Sequence, residues 1–88
     1  MGRGVMTKNK KIIKIDILEK FRELEHEADD KLPHNWLVND YFGRMNTFEK
    51  ITFDRALAEL ALSGLVAYKP GDCPEVKLTR LGKNLIFN

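Results

Sequence analysis

Residues 62–82 read LSGLVAYKPGDCPEVKLTRLG, and the pattern of apolar residues changes several times along them. The stretch begins as the end of a helix, which Ser63-Gly64 closes in the left-handed manner. Leu65 to Lys69 then reads as a strand, Pro70 to Pro74 as a turn, and Glu75 to Leu78 as the returning strand. Thr79 is placed to cap a last short helix carrying Leu81, Leu85 and Ile86, with Leu81 and Leu85 expected to pack it onto the core. A charged hairpin between two helices is therefore the feature around which the rest of the chain must be arranged.

Upstream, Phe53, Ala56, Leu57, Leu60 and Gly64 fall on one side of a helix over about 52–63, with Thr52 as its cap. A polar connection over 46–51 precedes it. Before that, Val38, Tyr41, Phe42 and Met45 share one side of a shorter helix, which Pro33 suits at its start, Asn35 could cap and Gly43 or Asn46 ends. Trp36 falls off that stripe and reads as a cover over the core edge. From Lys10 to Ala28, Ile13, Ile17, Phe21, Leu24 and Ala28 recur at helical spacing. Ile13, Ile15 and Ile17 also alternate as a strand would, but the pattern continuing through Leu24 favours helix. That helix leaves Ile12, Ile15 and Leu18 roughly opposite its core stripe, and a helix apolar on two sides needs two partners. A homodimer through Ile12, Ile15 and Leu18 is the expected second contact.

The chain has 88 residues, 43% of them hydrophobic and 32% charged, which describes one folded domain rather than a disordered chain. Residues 1–8 read as a flexible basic tail and 9–88 as the domain. No apolar run reaches membrane-spanning length and no secretory signal pattern follows the basic start, so a cytoplasmic protein is expected. The net charge is only +2, but it is uneven: residues 1–22 carry a balance of +5, a plausible arm for phosphate, and residues 23–30 carry −5. Cys73, His26 and His34 have no metal-ligand spacing, and Cys73 at a Gly-Asp-Cys-Pro corner has no adjacent base and reads as a tolerated turn residue. No metal, cofactor, small-molecule ligand or enzymatic activity is expected.

The order helix, helix, helix, hairpin, short helix makes an α+β fold that is mostly α. With that order in view, RALAELALSGLVAYKPGDCPEVKLTRLGKNLI, residues 55–86, resembles the second half of a winged helix-turn-helix domain of the kind found in small bacterial and archaeal transcription regulators. In that superfamily a helix ends in Leu, two residues, Leu, three residues, Gly, Leu, and a β-wing runs into Leu-Thr and a basic residue before Gly. Leu57, Leu60, Gly64 and Leu65 occupy the first set of places, and Leu78, Thr79, Arg80 and Gly82 the second. Residues 55–86 match closely; the earlier chain matches by helix order alone.

The resemblance implies a three-helix bundle with a β-hairpin wing and a DNA-binding regulator, with duplex DNA touched by the third helix and the wing. On the third helix Thr52, Asp54, Arg55, Ala58, Glu59 and Leu62 would point outward. Arg55 can present a bidentate fork to guanine and Thr52 can reach a phosphate or base edge. Lys69 and Lys77 of the wing, Arg80 after it and Lys50 ahead of the helix would meet phosphate or the minor groove. Against this, residues 47–64 carry a balance of −1, Leu62 suits a protein surface, and Arg55 could simply pair with Glu59 four residues on. A winged helix used as a protein-interaction module is therefore the alternative.

Overall fold

The hydrophobic core closes where two long helices and the inner face of a hairpin meet. The computed structural model describes residues 8–24 and 31–87; the tail through residue 7, and His26 and Ala28 of the sequence reading, lie outside them. Helix α1 spans Lys10–Glu23 and α2 spans Thr47–Leu62, with an irregular helical segment between. Strands β1 (Val66–Lys69) and β2 (Glu75–Leu78) follow, then helix α3 (Arg80–Phe87). The fold is α+β, mostly helical, as the sequence predicts.

The predicted stripes enter the core. Ile13, Ile17 and Phe21 of α1 face Phe53, Ala56, Leu57 and Leu60 of α2, and all are buried. Each large side chain removed from water in this way stabilises the fold by roughly 1.5–3 kcal/mol. Val66, Val76 and Leu78 close the core from the hairpin, and Leu32, Leu37 and Met45 complete it. The strands pair antiparallel, Val66 opposite Leu78 and Tyr68 opposite Val76, so alternation puts those four on the inner face. Ala67, Lys69, Glu75 and Lys77 take the outer face. Just before the middle segment, Lys31 bridges to Lys77 and the Leu32 N–H donates to the Val76 carbonyl at 3.0 Å. Sequence periodicity gave no hint of that one-residue bridge, because a single paired residue has no period.

Helix α2 begins earlier than its apolar stripe suggests. Asn46 accepts from the Glu49 N–H at 2.8 Å and Glu49 returns the bond to the Asn46 N–H at 3.1 Å, a reciprocal cap that starts the helix at Thr47. Thr52 therefore lies inside the helix and is not its cap, and Lys50 lies within it too, not ahead of it. The shorter helix before it also differs. Asn35–Tyr41 is a π-helix, with the Phe42 N–H reaching the Leu37 carbonyl five residues back, and Phe42–Arg44 tightens to a 3-10 turn. Asn35 is helical rather than a cap, and with the wider turn Leu37 is buried while Val38, Tyr41 and Phe42 are only partly so. Trp36 does cover an edge, stacked on Tyr41 with centroids 5.0 Å apart.

Helix α3 corrects a second expectation. Thr79 starts it as predicted, its hydroxyl accepting from the Gly82 N–H at 3.0 Å and lying 2.6 Å from the Gly64 carbonyl. Gly64 has φ +82°, the left-handed stop read from the sequence. Leu81 and Leu85, however, do not pack inside: they are 54% and 60% exposed. Gly82 is the residue pressed inward, so close to the Leu65 carbonyl that a Cβ would collide with it. That contact sets the roll of α3 and leaves Leu81 and Leu85 facing water.

Candidate nucleic-acid interface

The outward face of α2 holds fewer free charges than its sequence implies. Glu59 accepts from Lys10 and Lys14 of α1, each at 2.6 Å, so these two lysines a helical turn apart clamp one carboxylate. Those bonds, Lys10 first and Lys14 next, lower its pKa to about 2. Glu59 is thus not the partner of Arg55, which is the pairing the sequence allowed. Asp54, the other acid on the helix exterior, accepts from the Tyr68 hydroxyl of β1 at 2.7 Å. Partial burial, then that bond, pushes the Tyr68 hydroxyl well above the usual phenol range. Glu59 is thus paired with two cations, while Asp54 keeps its charge at an exposed position.

Arg55 is exposed and has no ion-pair partner among the described residues. It lines a shallow cleft of about 310 Å³ with Thr52, Phe48, Lys8, Asn9 and Lys10. Asn9 caps α1 by accepting from the Ile12 N–H at 2.9 Å, which turns the chain so that Lys8 and Lys10 arrive beside α2. Lys8 is held there by its N–H to Glu49 at 3.3 Å and its Nζ to Asp16 at 2.8 Å. Asp16 also accepts from the Tyr41 hydroxyl at 2.7 Å, and burial followed by this bond raises the Tyr41 pKa far above its ordinary value. Phe48 offers the cleft an aromatic face that is 65% exposed. A free guanidinium and an exposed ring suit a phosphate and a base or sugar, while the Lys8 and Lys10 ammonium groups beside them are paired with Asp16 and Glu59.

The other predicted contacts divide. Lys69 and Lys77 sit together on the outer face of the hairpin, in a shallow groove with Lys31, Tyr68 and Glu75, and Lys31 lies 3.7 Å from Glu75. Arg80 is exposed at the start of α3. Lys50 turns toward the irregular helix, its Nζ 5.1 Å from the Phe42 ring centroid. Thr52 is half-buried, and its hydroxyl donates to the Phe48 carbonyl at 3.1 Å, so it lines the wall of the cleft rather than projecting from it. Lys8, Lys10, Phe48 and Lys31 are additions. The basic excess of residues 1–22 signalled the first two; nothing in the sequence marks Phe48, because its position depends on α2 starting at Thr47.

No helix among the described residues is long and apolar enough to cross a membrane, and none of their His, Cys, Asp and Glu side chains group as a metal site. Comparison with protein-family models, with curated proteins and with solved structures finds no match to this chain.

Proposed function

We propose that this protein is a DNA-binding regulator of winged-helix type, meeting duplex DNA with α2 and the hairpin. The observation that carries the reading is that Glu59 is taken by Lys10 and Lys14 and not by Arg55, which stays exposed with no ion-pair partner among the described residues, in a cleft with Lys8 and Lys10. Arg55 is the candidate for a base contact; Lys8 and Lys10, whose ammonium groups are paired with Asp16 and Glu59, line the cleft beside it. Lys69, Lys77 and Arg80 add phosphate contacts from the hairpin side. Binding to random duplex should weaken steeply with salt, at a log–log slope of roughly −0.9 per phosphate contact. Lys77→Glu should weaken binding to all sequences alike, while Arg55→Ala should relax preference at one base position. Salt-insensitive binding, or two variants that bind like the parent, would end this reading.

A second reading rests on a different feature of the same helix. Phe48, Ile51, Ala58 and Leu62 form an exposed, mostly apolar ridge at helical spacing, and Leu62 is 88% exposed. Such a ridge suits a protein partner better than a phosphate backbone. Leu62→Ser separates the two: DNA affinity should stay within about twofold if duplex is the partner, since a serine at this place removes no charge.

A further inference from the structure

We infer that the Arg55 cleft holds one unpaired nucleotide of a DNA strand, its base stacked on the Phe48 ring and its phosphate on the Arg55 guanidinium. The inference rests on the DNA reading of this cleft and adds the state of the strand that the cleft accepts. Seven residues turn an α-helix to within about 20° of two full turns and advance it about 10 Å, so Phe48 and Arg55 leave α2 on one side with a gap between them. Thr52 stands in that gap, and its hydroxyl, tied to the Phe48 carbonyl at 3.1 Å, keeps it against the helix. Lys8, Asn9 and Lys10 close the cleft from the start of α1. The volume of about 310 Å³ lies at the low end of the range for small-ligand sites, roughly 300–1,000 Å³. One nucleotide is of that scale, and a base pair with its two backbones is not.

The lining offers what one nucleotide needs. Lys8 is paired with Asp16 at 2.8 Å and Lys10 with Glu59 at 2.6 Å, which leaves Arg55 as the cation of this cleft with no ion-pair partner among the described residues. A planar guanidinium takes a phosphate through two parallel hydrogen bonds. Phe48 is equally unengaged. Trp36, Tyr41, Phe42, Phe53 and Tyr68 stack or tilt against one another, while Phe48, 65% exposed, meets no other ring among the described residues. Within a duplex both faces of a base are covered by its neighbours and only edges reach a groove, so a paired base offers the phenyl ring a thymine methyl at most. An unpaired base offers a whole face, and every base has one. The guanidinium that reads an edge on a paired site turns, on an unpaired one, to the phosphate of the strand.

Fluorescence anisotropy of the full chain with two labelled probes, a fully paired duplex and single-stranded oligothymidine, tests the inference. The parent should bind oligothymidine. Phe48→Ala and Phe48→Leu should each weaken that binding about tenfold, and Phe48→Trp should keep it within about threefold of the parent. None of the three should change binding to the paired duplex by more than about twofold, and far-ultraviolet dichroism should be unchanged because the ring lies outside the core. Arg55→Ala should weaken oligothymidine binding about tenfold. A chain that binds duplex but not oligothymidine overturns the inference and leaves the duplex reading standing. So does oligothymidine binding indifferent to Phe48→Ala, or a Phe48→Leu variant that binds like the parent, since leucine keeps the apolar contact and loses the ring face. An equal loss on paired duplex overturns it too, because the ring then meets a groove edge. Oligothymidine binding that depends on Phe48, with none to duplex, supports the inference and ends the duplex reading instead.

Discussion

Helix α2 has two apolar faces, and only one of them is covered. Phe53, Ala56, Leu57 and Leu60 are buried, while Phe48, Ile51 and Leu62 on the opposite side are at least half exposed. Side-chain chemistry does not separate the two sets: both contain phenylalanine, leucine and residues of good helix propensity. What separates them is neighbours. The inner set meets α1 and the hairpin; the outer set meets water and the cleft that holds Arg55. Helix α3 repeats the contrast on a smaller scale, with Gly82 pressed on the Leu65 carbonyl and Leu81 and Leu85 outside. In a chain this short the covered faces supply the stability, and the uncovered ones are available for partners.

The sharpest test of that division compares two phenylalanines on one helix. Phe53→Ala should cost about 3–5 kcal/mol in urea unfolding, since it empties a fully buried site that also contacts Phe42 and Tyr68. Phe48→Ala should cost under about 0.5 kcal/mol, and comparable losses would mean that the outer face is covered after all. Gly82→Ala comes next: the added methyl must push α3 off the Leu65 carbonyl, at about 1–3 kcal/mol, with Leu81 and Leu85 changing their exposure. Asn46→Ala should cost about 1 kcal/mol by removing the cap that starts α2, and it should fray the first turn, which carries Phe48, before it touches the core. Amide hydrogen exchange at residues 47–50 would show it.

The smallest effect is on acid stability. The Glu59 pKa is lowered from 4.5 to about 2 by the hydrogen bonds from Lys10 and Lys14. A carboxyl whose folded pKa is depressed contributes above its unfolded pKa, and that contribution is lost as pH falls through the folded value. The α1–α2 clamp should therefore act fully above pH about 5 and fade toward pH about 2. Glu59 is 40% exposed, so solvent and salt screening reduce the effect. Glu59→Gln should flatten this part of the pH–stability curve, and so should high salt. A curve unchanged by the substitution would show that the clamp contributes nothing to holding the helices together.

The hairpin, the left-handed stop at Gly64, the Thr79 start and the buried stripes of α1 and α2 were legible in the sequence because each depends on residues within a few positions of one another: period, cap or turn chemistry. The start of α2 was legible too, in Asn46 and Glu49, but the apolar stripe drew attention to Thr52 instead. The π-pitch of Asn35–Tyr41 and the Lys31 bridge were not, since both arise from contacts that the local pattern does not carry. At the cleft, Arg55 was legible as an exposed cation. Its freedom was not, because that depends on Lys10 and Lys14, far away in the chain, taking Glu59.

By itself, then, the sequence determined where the two long helices and the hairpin lie and which apolar sides seek cover, because backbone preference and periodicity are local. Only the tertiary structure decided which side of α3 is pressed inward and which charges remain unpaired. Those outcomes follow from the meeting of side chains distant in sequence, where a carbonyl against Gly82 or a carboxylate between two lysines settles a choice that local chemistry leaves open.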